Sequence, residues 1–127
     1  SEPSNAEKTR PQELAWLVVS REHRRRLTCT DEGEVCTKAG EDPAESWVLE
    51  QHPGGVCLRS VHGTFLVTRG ETVVADPHRG PPVVPEAEGC SFFLRFGQRF
   101  LRSEGGGRVN ATAARKAWEQ CYLVPVS

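Results

Sequence analysis

The stretch Ser46–Thr68, SWVLEQHPGGVCLRSVHGTFLVT, decides the fold. Trp47 and Leu49, then Val56 and Leu58, alternate with Val48, Glu50, Cys57 and Arg59, which is the period of two of a strand with one face on a core. His52-Pro53-Gly54-Gly55 interrupts the run, and Pro beside Gly predicts a chain reversal. A second break at Val61-His62-Gly63 launches Phe65-Leu66-Val67. Short strands parted by turn residues predict an all-β sandwich or barrel.

Outward from this stretch, one unit recurs. Leu27-Thr28-Cys29 precedes Gly33-Glu34-Val35, Leu66-Val67-Thr68 precedes Gly70 and Val73-Val74, and Leu101-Arg102-Ser103 precedes Gly105-Gly106-Gly107-Arg108-Val109. Leucine and later valine stand eight apart each time if Val74 is taken in the second copy. Each copy reads as strand, glycine turn, strand. An aromatic strand closes each unit, at Trp47-Val48-Leu49, Phe92-Phe93-Leu94 and Tyr122-Leu123-Val124, and the proline-rich Pro77–Gly89 reads as a loop. Leu14–Ser20, LAWLVVS, reads as a further strand, its valines favouring strand over helix. Copies at roughly 35 to 40 residues that alternate by two do not suit helical solenoids. Three are too few for a propeller, which needs at least about four blades. The expected fold is all-β, a β-trefoil, in which closure hides the sheet edges that each unit alone would expose.

A chain of 127 residues predicts one domain. Ser1–Glu13, SEPSNAEKTRPQE, is polar with two prolines and reads as a disordered leader or linker, leaving 14–127 as the trefoil. Sixteen basic residues against seventeen acidic give no general pull towards nucleic acid or an anionic membrane. No run nears the roughly 18 apolar residues of a membrane helix, and no signal-peptide pattern opens the chain, so the expected location is the cytosol. Cys29, Cys36, Cys57, Cys90 and Cys121 form no CxxC pair, so no metal site is expected and reduced, buried thiols are. His23, His52, His62 and His78 stand in no nucleophile or metalloprotease motif, which argues against an enzyme and against a cofactor. Gly105-Gly106-Gly107 lacks the Lys-Ser/Thr and following helix of a phosphate loop. Asn110-Ala111-Thr112 is a glycosylation sequon that would matter only in a secreted protein.

The candidate binding residues are basic. Arg21, Arg24, Arg25 and Arg26 crowd the turn REHRRR, which a barrel would project towards an acidic protein surface such as an actin filament. Arg115 and Lys116 make a second patch.

WVLEQHPGGVCLRSVHGTFLVT resembles the fascin β-trefoil domain, in which a Trp-x-Leu-Glu strand leads through a turn into V-x-L-R-S, a glycine and an aromatic-Leu pair. RVNATAARKAWEQCYL (Arg108–Leu123) is similar to the fascin segment in which V-N-A and a hydroxyl residue precede a basic cluster and an aromatic strand. GCSFFLRF (Gly89–Phe96) is similar to its D-C-x-F strand. The resemblance spans Leu14–Ser127 and implies a cytoskeletal protein that binds F-actin, an actin contact at Arg115 and Lys116, and phosphorylation at Thr112, which would add about −2 charge beside those cations. Two departures stand out. Arg26 replaces an aromatic residue, and one of twelve strands is absent or merged where only Phe96-Gly97-Gln98 precede Arg99-Phe100-Leu101. Fascins carry four trefoils in tandem, and bundling filaments takes two separated sites. The alternative is a non-catalytic trefoil for protein or carbohydrate recognition without an actin role, although the repeated Gln-x-Trp of ricin-type lectins is missing.

Overall fold

The computed structural model describes residues 13–40 and 43–126. Of the expected leader, residues 1–12 lie outside the described residues. Twelve strands run through the described part. These are β1 Ala15–Ser20, β2 Arg26–Cys29, β3 Val35–Lys38, β4 Ser46–His52, β5 Gly55–Ser60, β6 Phe65–Arg69, β7 Thr72–Asp76, β8 Val84–Glu88, β9 Ser91–Phe96, β10 Arg99–Ser103, β11 Val109–Thr112 and β12 Gln120–Pro125. Strands β1, β4, β5, β8, β9 and β12 form a ring of antiparallel neighbours, closed by a two-bond bridge between Val56 and Val83 at 2.8 and 2.7 Å. Gly55 permits that closure, because a Cβ there would lie 2.3 Å from the Val83 carbonyl oxygen.

Three hairpins, β2–β3, β6–β7 and β10–β11, cap the ring. Their registers repeat: Leu27 faces Thr37, Leu66 faces Ala75 and Leu101 faces Ala111. The cap is tied together by backbone bonds, with the Thr37 N–H donating to Gly107 O and the Ala111 N–H to Glu71 O, both at 2.8 Å. A six-stranded barrel capped by three equivalent hairpins is a β-trefoil.

The same threefold order fills the core. By register Trp47, Val83 and Cys121 are equivalent, as are Val18, Leu58 and Leu94, and the three hairpin leucines. All nine are buried in one apolar cluster. A tryptophan, a valine and a cysteine in one layer share the volume unequally, which lets a pseudo-symmetric barrel reach protein-like density.

Three sequence expectations are corrected here. The apparently missing strand is β8, which lies inside the stretch read as a proline-rich loop. Val84-Pro85-Glu86-Ala87-Glu88 shows no apolar alternation because proline and two glutamates occupy it, with Glu86 bonded across the hairpin to Arg95 at 2.7 Å. Consequently Phe92-Phe93-Leu94 belongs to β9 and opens the third unit instead of closing the second, and the residues in one layer with Trp47 are Val83 and Cys121. In the second hairpin the residue equivalent to Val35 and Val109 is Val73, not Val74. Arg69 pairs with Thr72, making that turn one residue tighter. Finally, β5 is buried on both faces, since Arg59 is 2% exposed beneath Glu50 and Glu13. Glu13, assigned to the leader, is therefore bonded to the barrel.

Burial pushes the Cys121 thiol up to about 12 and raises those of Cys36 and Cys57 as well. Cys90 is exposed at the β8–β9 turn. Thiolate is the reactive form, so native alkylation at neutral pH is expected to label Cys90 first, with Cys29, Cys57 and Cys121 labelled only after denaturation. Mass mapping of the labelled peptides checks this.

Candidate functional site

The first basic stretch meets the residues that follow the second where the first and last strands pair. Strands β1 and β12 run antiparallel, and Ser20 faces Cys121 at the end of their ladder. Beyond Ser20 the chain reverses through residues 21–24. The Arg24 N–H donates to Ser20 O at 2.9 Å, the Ser20 N–H to Arg25 O at 2.8 Å, and the Arg21 N–H to Gln120 O at 3.0 Å. Opposite, a 3-10 turn at Ala117–Glu119 is held by the buried Glu119 carboxylate, which accepts the Lys116 N–H at 2.6 Å. With Glu119 pulled inward, Trp118 is turned outward and is 44% exposed.

The exposed indole has a defined setting. The His23 ring meets it edge-on, with centroids 4.9 Å apart. The Arg21 guanidinium bonds the Gln120 side-chain oxygen, which also accepts the Ser91 hydroxyl at 3.0 Å. Arg24 lies over the Tyr122 ring at 5.8 Å. Beneath Trp118, a cavity of about 20 Å³ lined by Val18, Leu101 and Cys121 has room for a single water. The seam is therefore packed below, and a ligand would meet Trp118 from outside.

Each basic residue read from the sequence has a distinct place. Arg21 and Arg24 are exposed at the seam. Arg25 is half-buried and donates to Thr37, at 2.7 Å to its carbonyl and 3.2 Å to its hydroxyl, which fastens the turn to the cap. Arg26 pairs at 3.2 Å with Glu45, a carboxylate 1% exposed. Arg115 packs over Phe93 at 4.1 Å and bonds Glu86 at 3.2 Å. Glu86 is held below the usual carboxylate range, chiefly by its bond from Arg95 and further by Arg115. Lys116 is exposed. The Thr112 hydroxyl accepts the Ala114 N–H at 3.2 Å, and neither Arg115 nor Lys116 bonds it. Half of the expected cations thus hold the fold together, leaving Arg21, Arg24 and Lys116 exposed.

Trp118, His23, Gln120 and Tyr122 were missed as site residues by sequence reasoning. One signal was available. Trp118 sits between Ala117 and Glu119, outside any alternating run, whereas Trp16 and Trp47 lie within strands.

Two larger concavities offer less. A groove of about 420 Å³ beside Trp16 is lined by Glu50, Gln51 and Arg79, but Glu50 already accepts bonds from both Arg59 and Arg79. A bowl of about 520 Å³ at the cap is walled by valines and glycine backbone, with Glu34 and Arg108 at its edge. Among the described residues no group of His, Cys, Asp and Glu could hold a metal ion.

The fold and the seam define a β-trefoil with an aromatic and basic surface patch. Among solved structures the chain is similar to SeviL bound to asialo-GM1 saccharide, with a TM-score of 0.77 and 16% identity, covering 88% of this chain and 97% of that one. At that identity the likeness shows the fold. No protein-family model matches the sequence, and no curated protein matches it.

Proposed function

We propose that this chain is a non-catalytic β-trefoil recognition module for saccharides, with the β1–β12 seam as its binding surface. One observation carries the reading: Trp118 stands out of a well-packed seam with the His23 ring edge-on to it, and the exposed Arg21 is held at Gln120, two residues further along the same strand entry. A sugar presents a C–H face that packs on an indole and hydroxyls that need directional polar partners. Trp and Arg are also the side chains most often found to dominate binding energy. The shared fold with SeviL, whose solved structure holds a saccharide, supports the same reading.

The test is a printed panel of neutral and acidic oligosaccharides probed with the wild-type chain and Trp118→Ala. Trp118 lies outside the buried core cluster, so the variant is expected to fold, checked by its circular dichroism, and to bind at least about tenfold more weakly, or about 1.4 kcal/mol. Binding unchanged by Trp118→Ala would refute the assignment of the seam.

A second reading, actin-filament binding of the fascin type, is favoured by the exposure of Arg21, Arg24 and Lys116 along the same seam. Bundling would need a second such surface. Co-sedimentation with F-actin at low salt, where attraction between surface charges is greatest, tests it. Absence of pelleting there rejects it.

A further inference from the structure

The β1–β2 turn departs from the rest of the molecule in two independent ways. The first is electrostatic. Nine of the twelve described arginines pair with a carboxylate: Arg26, Arg59, Arg69, Arg79, Arg95, Arg99, Arg102, Arg108 and Arg115. The three without such a partner among the described residues, Arg21, Arg24 and Arg25, all belong to this turn. Arg25 is engaged by Thr37, whereas Arg21 is bonded to a neutral amide, and Arg24 to the Arg21 carbonyl oxygen at 3.2 Å and to the face of the Tyr122 ring at 5.8 Å, neither of which neutralises its charge. Lys116, across the seam, adds a third cation, and Glu22 is the one carboxylate in the turn.

The second is conformational. Arg24 has φ +56, the one non-glycine residue in the left-handed region among those described. In the two sister turns of the trefoil, after β5 and after β9, the left-handed residue is glycine: Gly63 at φ +84 and Gly97 at φ +65. A side chain in that region is disfavoured by contact of its Cβ with the following carbonyl. Glycine would serve here too, yet the turn keeps an arginine whose guanidinium makes no ion pair among the described residues. Strain of this kind gathers at binding sites, where the side chain has a task outside the fold.

The geometry points to a glycan bearing a negative group: Arg21 and Arg24 take a sulfate or carboxylate of the sugar that packs on Trp118. Guanidinium groups match the paired oxygens of such anions, and their charge-assisted bonds are the strong ones. The inference rests on the saccharide reading and adds the chemical class of the ligand.

Matched pairs on a glycan panel test it: lactose, N-acetyllactosamine, chitobiose and cellobiose, each unmodified and carrying one sulfate, read at about 0.15 M salt so that diffuse attraction is screened. At least one sulfated member is expected to bind tenfold or more above its neutral twin. Arg24→Gly, which suits the left-handed backbone, is expected to hold or raise the melting temperature while bringing the pair to within threefold. Arg21→Gln is the second variant, expected to reduce the same preference. Equal binding of twins, or a preference that survives Arg24→Gly, overturns the anion site while leaving the saccharide reading in place. Failure of every member to bind overturns both. Pelleting with F-actin at the same salt that Arg24→Gly abolishes would assign the two arginines to an acidic protein and overturn the glycan class.

Discussion

Replacing Trp47 with alanine is expected to lower the unfolding free energy by about 4 kcal/mol, the range seen when a large aromatic is cut from a core. Trp47 is fully buried, and its equivalents in the same layer, Val83 and Cys121, are too small to fill the space it would leave. Its Nε1–H also donates to Leu27 O at 3.0 Å, joining the barrel layer to the first cap hairpin. Trp47→Phe keeps most of the apolar area but leaves that carbonyl unsatisfied, so a smaller loss of about 1–2 kcal/mol is expected. Urea unfolding of the three proteins measures both steps. A loss below about 1 kcal/mol for the alanine variant would contradict the place given to this residue.

Arg59→Ala is expected to lower stability by about 3 kcal/mol, through the charges it leaves behind rather than through lost area. The arginine is 2% exposed and bonds Glu50 and Glu13, so its removal leaves two carboxylates on the outer face of the barrel where one buried cation had joined them. Arg79 still reaches Glu50 at 2.7 Å and softens the loss. In a double-mutant cycle, Glu50→Gln combined with Arg59→Ala is expected to be less damaging than the sum of the two single changes, by about 1 kcal/mol or more. Strict additivity would show that the pair is not coupled.

How much of this was legible in the sequence depended on whether local pattern and tertiary role agreed. The three hairpins could be read directly, because Leu27, Leu66 and Leu101 repeat with a glycine turn behind each, and local turn chemistry fixes such pairs. Strand β8 could not, since its pairing with β9 is stabilised by Glu86 and Arg95 across the hairpin instead of by an apolar face. The roles of the arginines were equally hidden. Arg21, Arg24, Arg25 and Arg26 look alike in REHRRR, yet Arg26 meets a carboxylate nineteen residues away and Arg25 a threonine twelve away. Only the fold sorts structural cations from available ones. The seam itself was invisible because Ser20 and Cys121 are brought together by closure of the barrel, a hundred residues apart.

The three tryptophans make the decisive measurement simple, since each contributes one indole N–H signal to a ¹⁵N spectrum. Titration with the pooled monosulfated oligosaccharides should move the Trp118 signal and leave that of the buried Trp47 in place. A saturating titration that shifts Trp16 and spares Trp118 would contradict recognition at the β1–β12 seam.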